Sequence, residues 1–476
     1  MRIASICVVS ALALAFVHSH ALAQSPPPTP RPNQSELEQA RNTYIFQFNP
    51  RVPQAAMSGL AHRIVGEAGG SVRHVYTNVI GGFAATLPGA AVWNVAGKPE
   101  ITSYERDEIF TVAAKPVCPS THPSCKDDGG GGDGDGGSND GGGGGGGDVL
   151  NCPNYGEEKL PWGVKRINAP GAHSEANCGQ GIHVYVIDTG IDLDHPSLTP
   201  VGNSVTCGKS CSSGGDDNNG HGTHVAGTIG ARGQDVVGVA PAVFLHSVKV
   251  LKGSGIGFLS DIIAGIDWVA GEAESMGVPV VANMSLGGSG KREGKCENGT
   301  LKESSNAYRR ATCEAAGKGV VLVVAAGNSG ADAENYAPAS HDDAVITVSA
   351  TEQIDCRLFD GETVCDDGWT SWSNWGDNSP PQSWAGPDSA PVAIAAPGGD
   401  ILSTKMGGGT TTMSGTSMAS PHVAGVAALI LMNSTASGYS AFLEVRTAIL
   451  GSAEPAGNFK DEGDRHAEGF VCADGC

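Results

Sequence analysis

The sequence predicts an α/β protein with a mostly parallel central sheet, preceded by a small α+β module. Three observations predict it. From about Asn151 onward, short and nearly continuous apolar runs alternate with helix-like segments, as expected of strands buried on both faces. Residues 36–114 instead carry several strand patterns around one helix-like stretch. Between these regions, residues 129–147 hold fourteen glycines, with Asp, Ser and Asn as the only other residues. A stretch with nothing to bury is a flexible linker.

In chain order, residues 1–23 read as an export signal. Arg2 precedes an apolar run from Ile3 to Val17, and Ala21-Leu22-Ala23 supplies a small-residue cleavage site. The run is too short to cross roughly 30 Å of hydrocarbon as an anchor. Residues 24–35 form a Pro-rich spacer, and 36–114 form the small module. Within it Tyr44–Phe48, Val72–Tyr76, Gly82–Leu87 and Ile101–Ile109 pattern as strands, and Ala55–Ala68 as a helix. The linker spans 115–150 and the large domain 151–476. There the expected strands are Ile182–Ile187, Val243–Val250, Val278–Met284, Val320–Ala325 and Ala344–Val348. The expected helices are Leu259–Ala273, Glu303–Gly317 and Val423–Leu431.

A net charge of −21 and a pI near 5.0 argue against nucleic acid as a partner, and no basic run suits an anionic membrane surface. Removing Cys7 with the signal leaves twelve of thirteen cysteines, an even number in an exported chain. Nearest-neighbour disulfides are the simplest expectation: 118–125, 152–178, 207–211, 296–313, 356–365 and 472–476. Histidines do not cluster with these cysteines as a zinc site requires.

In parallel sheets, sites gather at the carboxyl ends of strands. Asp188 ends the first expected strand of the large domain, and Asn219–Gly227 places His221 and His224 at the start of a small-residue helix. Gly415–Gly425 puts Ser417 before the uncharged run Val423–Leu431, at the positive end of a helix dipole beside free N–H groups. Pro421 fits if it falls within the first helical turn, whose N–H groups have no helical partner. Each feature alone is ordinary, because a serine often caps a helix and an aspartate often ends a strand.

Together, Asp188, His221 and Ser417 stand in the order Asp, His, Ser. The segments Val186–Ile191, His221–Gly227 and Gly415–Ala419 closely resemble the motifs of subtilisin-like serine proteases, and Asn335–Ser340 resembles the proteinase K branch. The resemblance extends over most of 160–450 and implies a three-layer subtilisin-like fold. Gly81–Leu87 and Tyr104–Asp107 resemble the family's propeptide-inhibitor domain, which implies a ferredoxin-like α+β fold for the small module.

The resemblance implies a secreted serine endopeptidase made as an inhibited zymogen, with protein or peptide substrates, its own propeptide as intramolecular inhibitor, and a monomeric state. Ser417 is then the nucleophile, His221 its general base, and Asp188 the group that holds the imidazole. Asn328 matches the oxyanion-hole amide, while His224 is left to packing or hydrogen bonding. Ser285, Leu286, Gly287 and Gly288, with Gly255, Ile256 and Gly257, match two backbone edges that clamp a peptide as an added strand. A primary pocket between 285–288 and 325–328 is expected to take apolar or aromatic side chains. No cofactor is needed for the chemistry. Ser197 stands where many relatives carry a calcium-ligating aspartate, which leaves structural calcium to other carboxylates. Trp369, Trp372 and Trp375 are assigned to packing. Two rival readings are a catalytically inactive peptide-binding relative and a zinc hydrolase using His221 and His224.

Overall fold

The computed structural model describes residues 30–112, 152–173, 178–198, 203–359, 362–376, 391–455 and 468–474, excepting the side chains of 354–367. The export signal, most of the spacer, the linker and the cysteines at 118, 125 and 476 lie outside the described residues, as do the side chains of Cys356 and Cys365. Disulfides join Cys152 to Cys178, Cys207 to Cys211 and Cys296 to Cys313, as nearest-neighbour pairing predicts.

The large domain is organised by one sheet. Its order is Glu362–Trp369, Ile346–Phe359, Val320–Ala325, Val280–Met284, His183–Asp188, Phe244–Lys249, Val205–Cys207 and Cys211–Ser213. The central pairings are parallel, and each edge closes with an antiparallel strand. Ile394–Pro397 also pairs in parallel with Ile346–Phe359.

Alternate side chains of the same strands enter two different cores, because a strand's period is two. Val184 and Val186 face a core shared with the helices His221–Gly230, Thr416–Leu431 and Tyr439–Gly451. Tyr185 and Ile187 face a second core with the helices Leu259–Met276 and Ala307–Gly317. Helices therefore cover the sheet on both sides. The nearly continuous apolar runs follow directly, since neither face of a central strand meets water.

The small module pairs its strands in the order Ser71–Tyr76, Gly82–Thr86, Thr43–Phe48 and Ile101–Arg106. Two of its helices escape the sequence pattern. Gln34–Asn42 begins inside the expected spacer, fixed by a capping box between Asn33 and Glu36. Its residues are mostly polar, so no apolar period announces it. Val92–Ala96 is barely more than one turn.

A more consequential departure is the expected strand 101–109, which divides in two. Ile101–Arg106 stays in the module's sheet, whereas Ile109–Val112 joins the large domain. Between them Asp107 turns away and accepts from the amide and hydroxyl of Ser260, at 2.9 and 2.6 Å. Ser260 lies in the first turn of Leu259–Met276, a helix with no side-chain cap of its own. The module supplies that cap. Glu105 similarly accepts from Ala307 N at 3.2 Å, at the start of Ala307–Gly317. In the opposite direction, Asp267 of the large domain accepts from the amides of Thr77, Asn78 and Val79.

Candidate active site

The strand His183–Asp188 delivers Asp188, fully buried, to the carboxyl end of the sheet. Its Oδ1 accepts from His221 Nδ1 at 2.7 Å and from Thr189 N at 2.6 Å. A proton on Nδ1 leaves His221 Nε2 as the free basic nitrogen, and Nε2 is buried with no hydrogen-bond partner among the described residues. His221 opens its helix, and the following Gly222 lies against Gly190. A Cβ at position 222 would collide with the Gly190 carbonyl, so glycine is required for this close approach.

The second half of the site comes from the helix Thr416–Leu431, which packs on the His221–Gly230 helix. Ser417 and Ser285 exchange hydrogen bonds: Ser417 Oγ donates to Ser285 O at 3.0 Å, and Ser285 Oγ donates to Ser417 O at 2.8 Å. The second bond corrects the expectation for Pro421, which lies beyond the first turn rather than in it. Its missing N–H would have bonded the Ser417 carbonyl, four residues back. Ser285 takes that place, so the Ser417 carbonyl is not left as an unmet acceptor.

Asn328 follows the buried strand Val320–Ala325. Its Oδ1 accepts from both the amide and hydroxyl of Thr416, each at 2.9 Å. The amide's orientation is thereby fixed, and Nδ2 is a buried donor with no partner among the described residues. Asn374 steadies the same loop. Its Oδ1 accepts from Ser329 N and Ala331 N, and its Nδ2 donates to Ala326 O. Thr416 and Asn374 are positioning residues that the sequence reading missed. Thr416 sits inside a recognised motif, but Asn374 is far from Asn328 in sequence and has no local signal.

The seven expected peptide-binding residues flank one segment. Ile109–Val112 lies antiparallel between Ile256–Phe258 on one side and Leu286–Ser289 on the other. Thr111 stands opposite Ile256 and Gly287, and Val112 opposite Leu286, while Gly255 O accepts from Val112 N at 2.9 Å. The Phe110 ring is buried against Gly288 and meets the Tyr308 ring edge-on at 5.3 Å. Beside this strand a cavity of about 310 Å³ is lined by Leu286–Ser289, Ala325–Ser329 and Ala339, with no charged side chain.

His224 does not converge with His221. Its Nε2 hydrogen-bonds the carbonyls of Ile401 and Thr411, and burial pushes its pKa down to about 3, so it stays neutral. No three His, Cys, Asp or Glu side chains among the described residues gather as metal ligands would. Ser197 is buried and donates to Asp235 at 3.3 Å. Trp372 is buried in the main core, with Trp369 packed against it and Trp375 half-buried.

The chain is similar to known proteins over most of its length. The model of the subtilase family matches residues 179–471. Proteinase R of Parengyodontium album is 32% identical over 405 residues, covering 84% of this chain and 81% of its own length. The alkaline serine protease ver112 of Corniculantispora psalliotae is 34% identical over 366 residues, covering 75% and 74%. A crystal structure of a cold adapted subtilisin-like serine proteinase aligns at 34% identity with a TM-score of 0.48, covering 66% of this chain and 98% of that one.

Proposed function

The chain belongs to the subtilase family and is a serine endopeptidase, and from that premise we propose that it is secreted as an inhibited zymogen and cuts proteins through Asp188, His221 and Ser417. The observation that carries this reading is the buried Asp188–His221 hydrogen bond, with the opposite ring nitrogen unpaired. His221 Nε2 takes the Ser417 proton as the hydroxyl attacks the peptide carbonyl, then returns it to the leaving amine. Asp188 stabilises the imidazolium formed between these steps. To reach Nε2, the Ser417 hydroxyl gives up its bond to Ser285 O. Asn328 Nδ2 and the Ser417 amide hold the oxygen of the tetrahedral intermediate, and an ester to Ser417 remains until water repeats the cycle. No cofactor takes part. Fluorophosphonate labelling tests the proposal: reaction at Ser417 is expected, and a folded but unlabelled mature protein would establish the inactive, peptide-binding alternative instead.

Inhibition is built on the Ile109–Val112 strand, which lies where the extended backbone of a substrate would lie. The uncharged cavity beside it suits an apolar or aromatic side chain on the residue before the cut bond. Val112 faces Leu286, and the adjacent Ser285 is bonded to Ser417, so the register directs cleavage to within about two residues beyond Val112. N-terminal sequencing of the secreted enzyme should therefore find a start near residue 114. A start inside 129–147 would mean that the linker is cut instead.

The docked module is also expected to respond to pH. Burial pushes both Asp107 and Glu105 up to about 7, against the hydrogen bonds each receives from a helix start. A carboxyl raised on docking favours the docked state most below its ordinary pKa, near 4, and loses that contribution as pH rises toward 7. Affinity of the cleaved module for the mature enzyme should fall about tenfold or more between pH 5 and 7.5. Inhibition constants measured across that range check this, and affinity that rises with pH would refute it.

A further inference from the structure

Asp217 is a buried acid that the catalytic steps above do not use. Its carboxylate accepts from Thr189 Oγ1 at 2.9 Å, Asn219 N at 2.9 Å, Thr223 N at 3.0 Å and Thr223 Oγ1 at 2.6 Å. Burial raises its pKa, but the bonds from the Thr223 side chain and from nearby amides outweigh that effect and hold it below the usual carboxylate range. The charge is thus kept inside the protein by groups that point at it from two sides.

Those two sides carry the two halves of the Asp188–His221 pair. Thr189 directly follows Asp188 at the strand's end, and Thr223 is two residues beyond His221 in its helix. Thr189 Oγ1 also accepts from Gly222 N at 2.9 Å, so one hydroxyl touches both the acid and the helix. Lys249 Nζ reinforces the corner by donating to Thr189 O and to Asn218 Oδ1. On the other flank, Asn219 Oδ1 accepts from His221 N at 3.2 Å. A carboxylate that fixes Thr189, Asn219 and Thr223 together sets how far the aspartate strand stands from the histidine helix.

We propose that Asp217, acting through Thr189, is a positioning residue for the triad: it fixes the length and angle of the Asp188–His221 hydrogen bond rather than meeting the substrate. This rests on the serine-protease reading. Misplacing a catalytic group by about 1 Å can cost a hundredfold in rate while leaving substrate affinity nearly intact. The network gives such misplacement an obvious origin, because no covalent bond holds the strand end against the helix start.

The test compares Asp217→Asn, Thr189→Val and Thr189→Ser in the mature enzyme. Active sites are counted by fluorophosphonate titration, so that kcat refers to labelled molecules alone, and the downfield proton resonance of His221 Nδ1–H reports the Asp188 bond. Asp217→Asn and Thr189→Val should each lower kcat per titrated site about 10- to 100-fold, change KM less than about threefold, and broaden or shift that resonance upfield. Thr189→Ser keeps the bridging hydroxyl and should recover activity to within about threefold of the parent. If Asp217→Asn does not fold, the two Thr189 variants decide the matter. Parental kcat per site and an unmoved resonance in Thr189→Val would overturn the proposal, as would an equal loss in Thr189→Ser. Absence of labelling in the parent enzyme is a different outcome, which would refute the peptidase mechanism itself.

Discussion

Replacing Ser417 by alanine is expected to lower kcat by roughly a millionfold, the magnitude that loss of the nucleophile costs in a subtilisin triad. The change should leave the fold intact. Among the described residues Ser417 Oγ bonds Ser285 O, and a typical hydrogen bond contributes about 1 kcal/mol. The reciprocal bond from Ser285 Oγ uses the main chain of residue 417 and survives the substitution. What disappears is the only atom proposed to attack the substrate, while Asn328 and the binding edges remain. The variant should therefore still bind a peptide, and its precursor should accumulate uncut. Kinetics with a chromogenic peptide and the size of the secreted precursor measure both effects. Normal processing of Ser417→Ala would show that another protease performs the maturation step.

Asp188→Asn should cost about ten-thousandfold in kcat with little change in KM. Asp188 is fully buried, and its Oδ1 accepts from both His221 and Thr189. An asparagine carries no charge to stabilise the imidazolium, and turned with its NH2 toward the ring it presents a donor where His221 Nδ1 needs an acceptor. The ring then responds by placing its own proton on Nε2, the nitrogen that must be bare to receive the Ser417 proton. The loss arises from the wrong tautomer rather than from an empty space, so the variant should be nearly as stable as the parent. Turnover per titrated site measures it. A loss smaller than about tenfold would remove Asp188 from the mechanism.

Much of the large domain could be read from its apolar runs. Val320–Ala325 matches its expected bounds, and Leu259–Met276 extends the expected helix by three residues. Strands with both faces buried leave a simple record, since most side chains along them are apolar. The small module was less legible. Gln34–Asn42 is stabilised by a cap and by what it packs on rather than by an apolar stripe. The split at Asp107 was invisible for a different reason: its partner, Ser260, belongs to a helix more than a hundred residues away.

The sequence by itself determined the class of fold, and its resemblance to the subtilisin-like motifs supplied the candidate nucleophile, base, acid and oxyanion amide, because each motif is a short, local segment. Nearest-neighbour pairing, the simplest expectation from spacing, agrees with the three disulfides described. Only the tertiary structure decided what orients these groups. Thr416 and Asn374 fix Asn328 and its loop, Ser285 replaces the helical bond that Pro421 cannot make, Asp217 ties a strand end to a helix start, and Ile109–Val112 lies between the two edges. Each of these is a contact between segments distant along the chain, and a hydrogen bond is sensitive to tenths of an ångström that no residue pattern encodes.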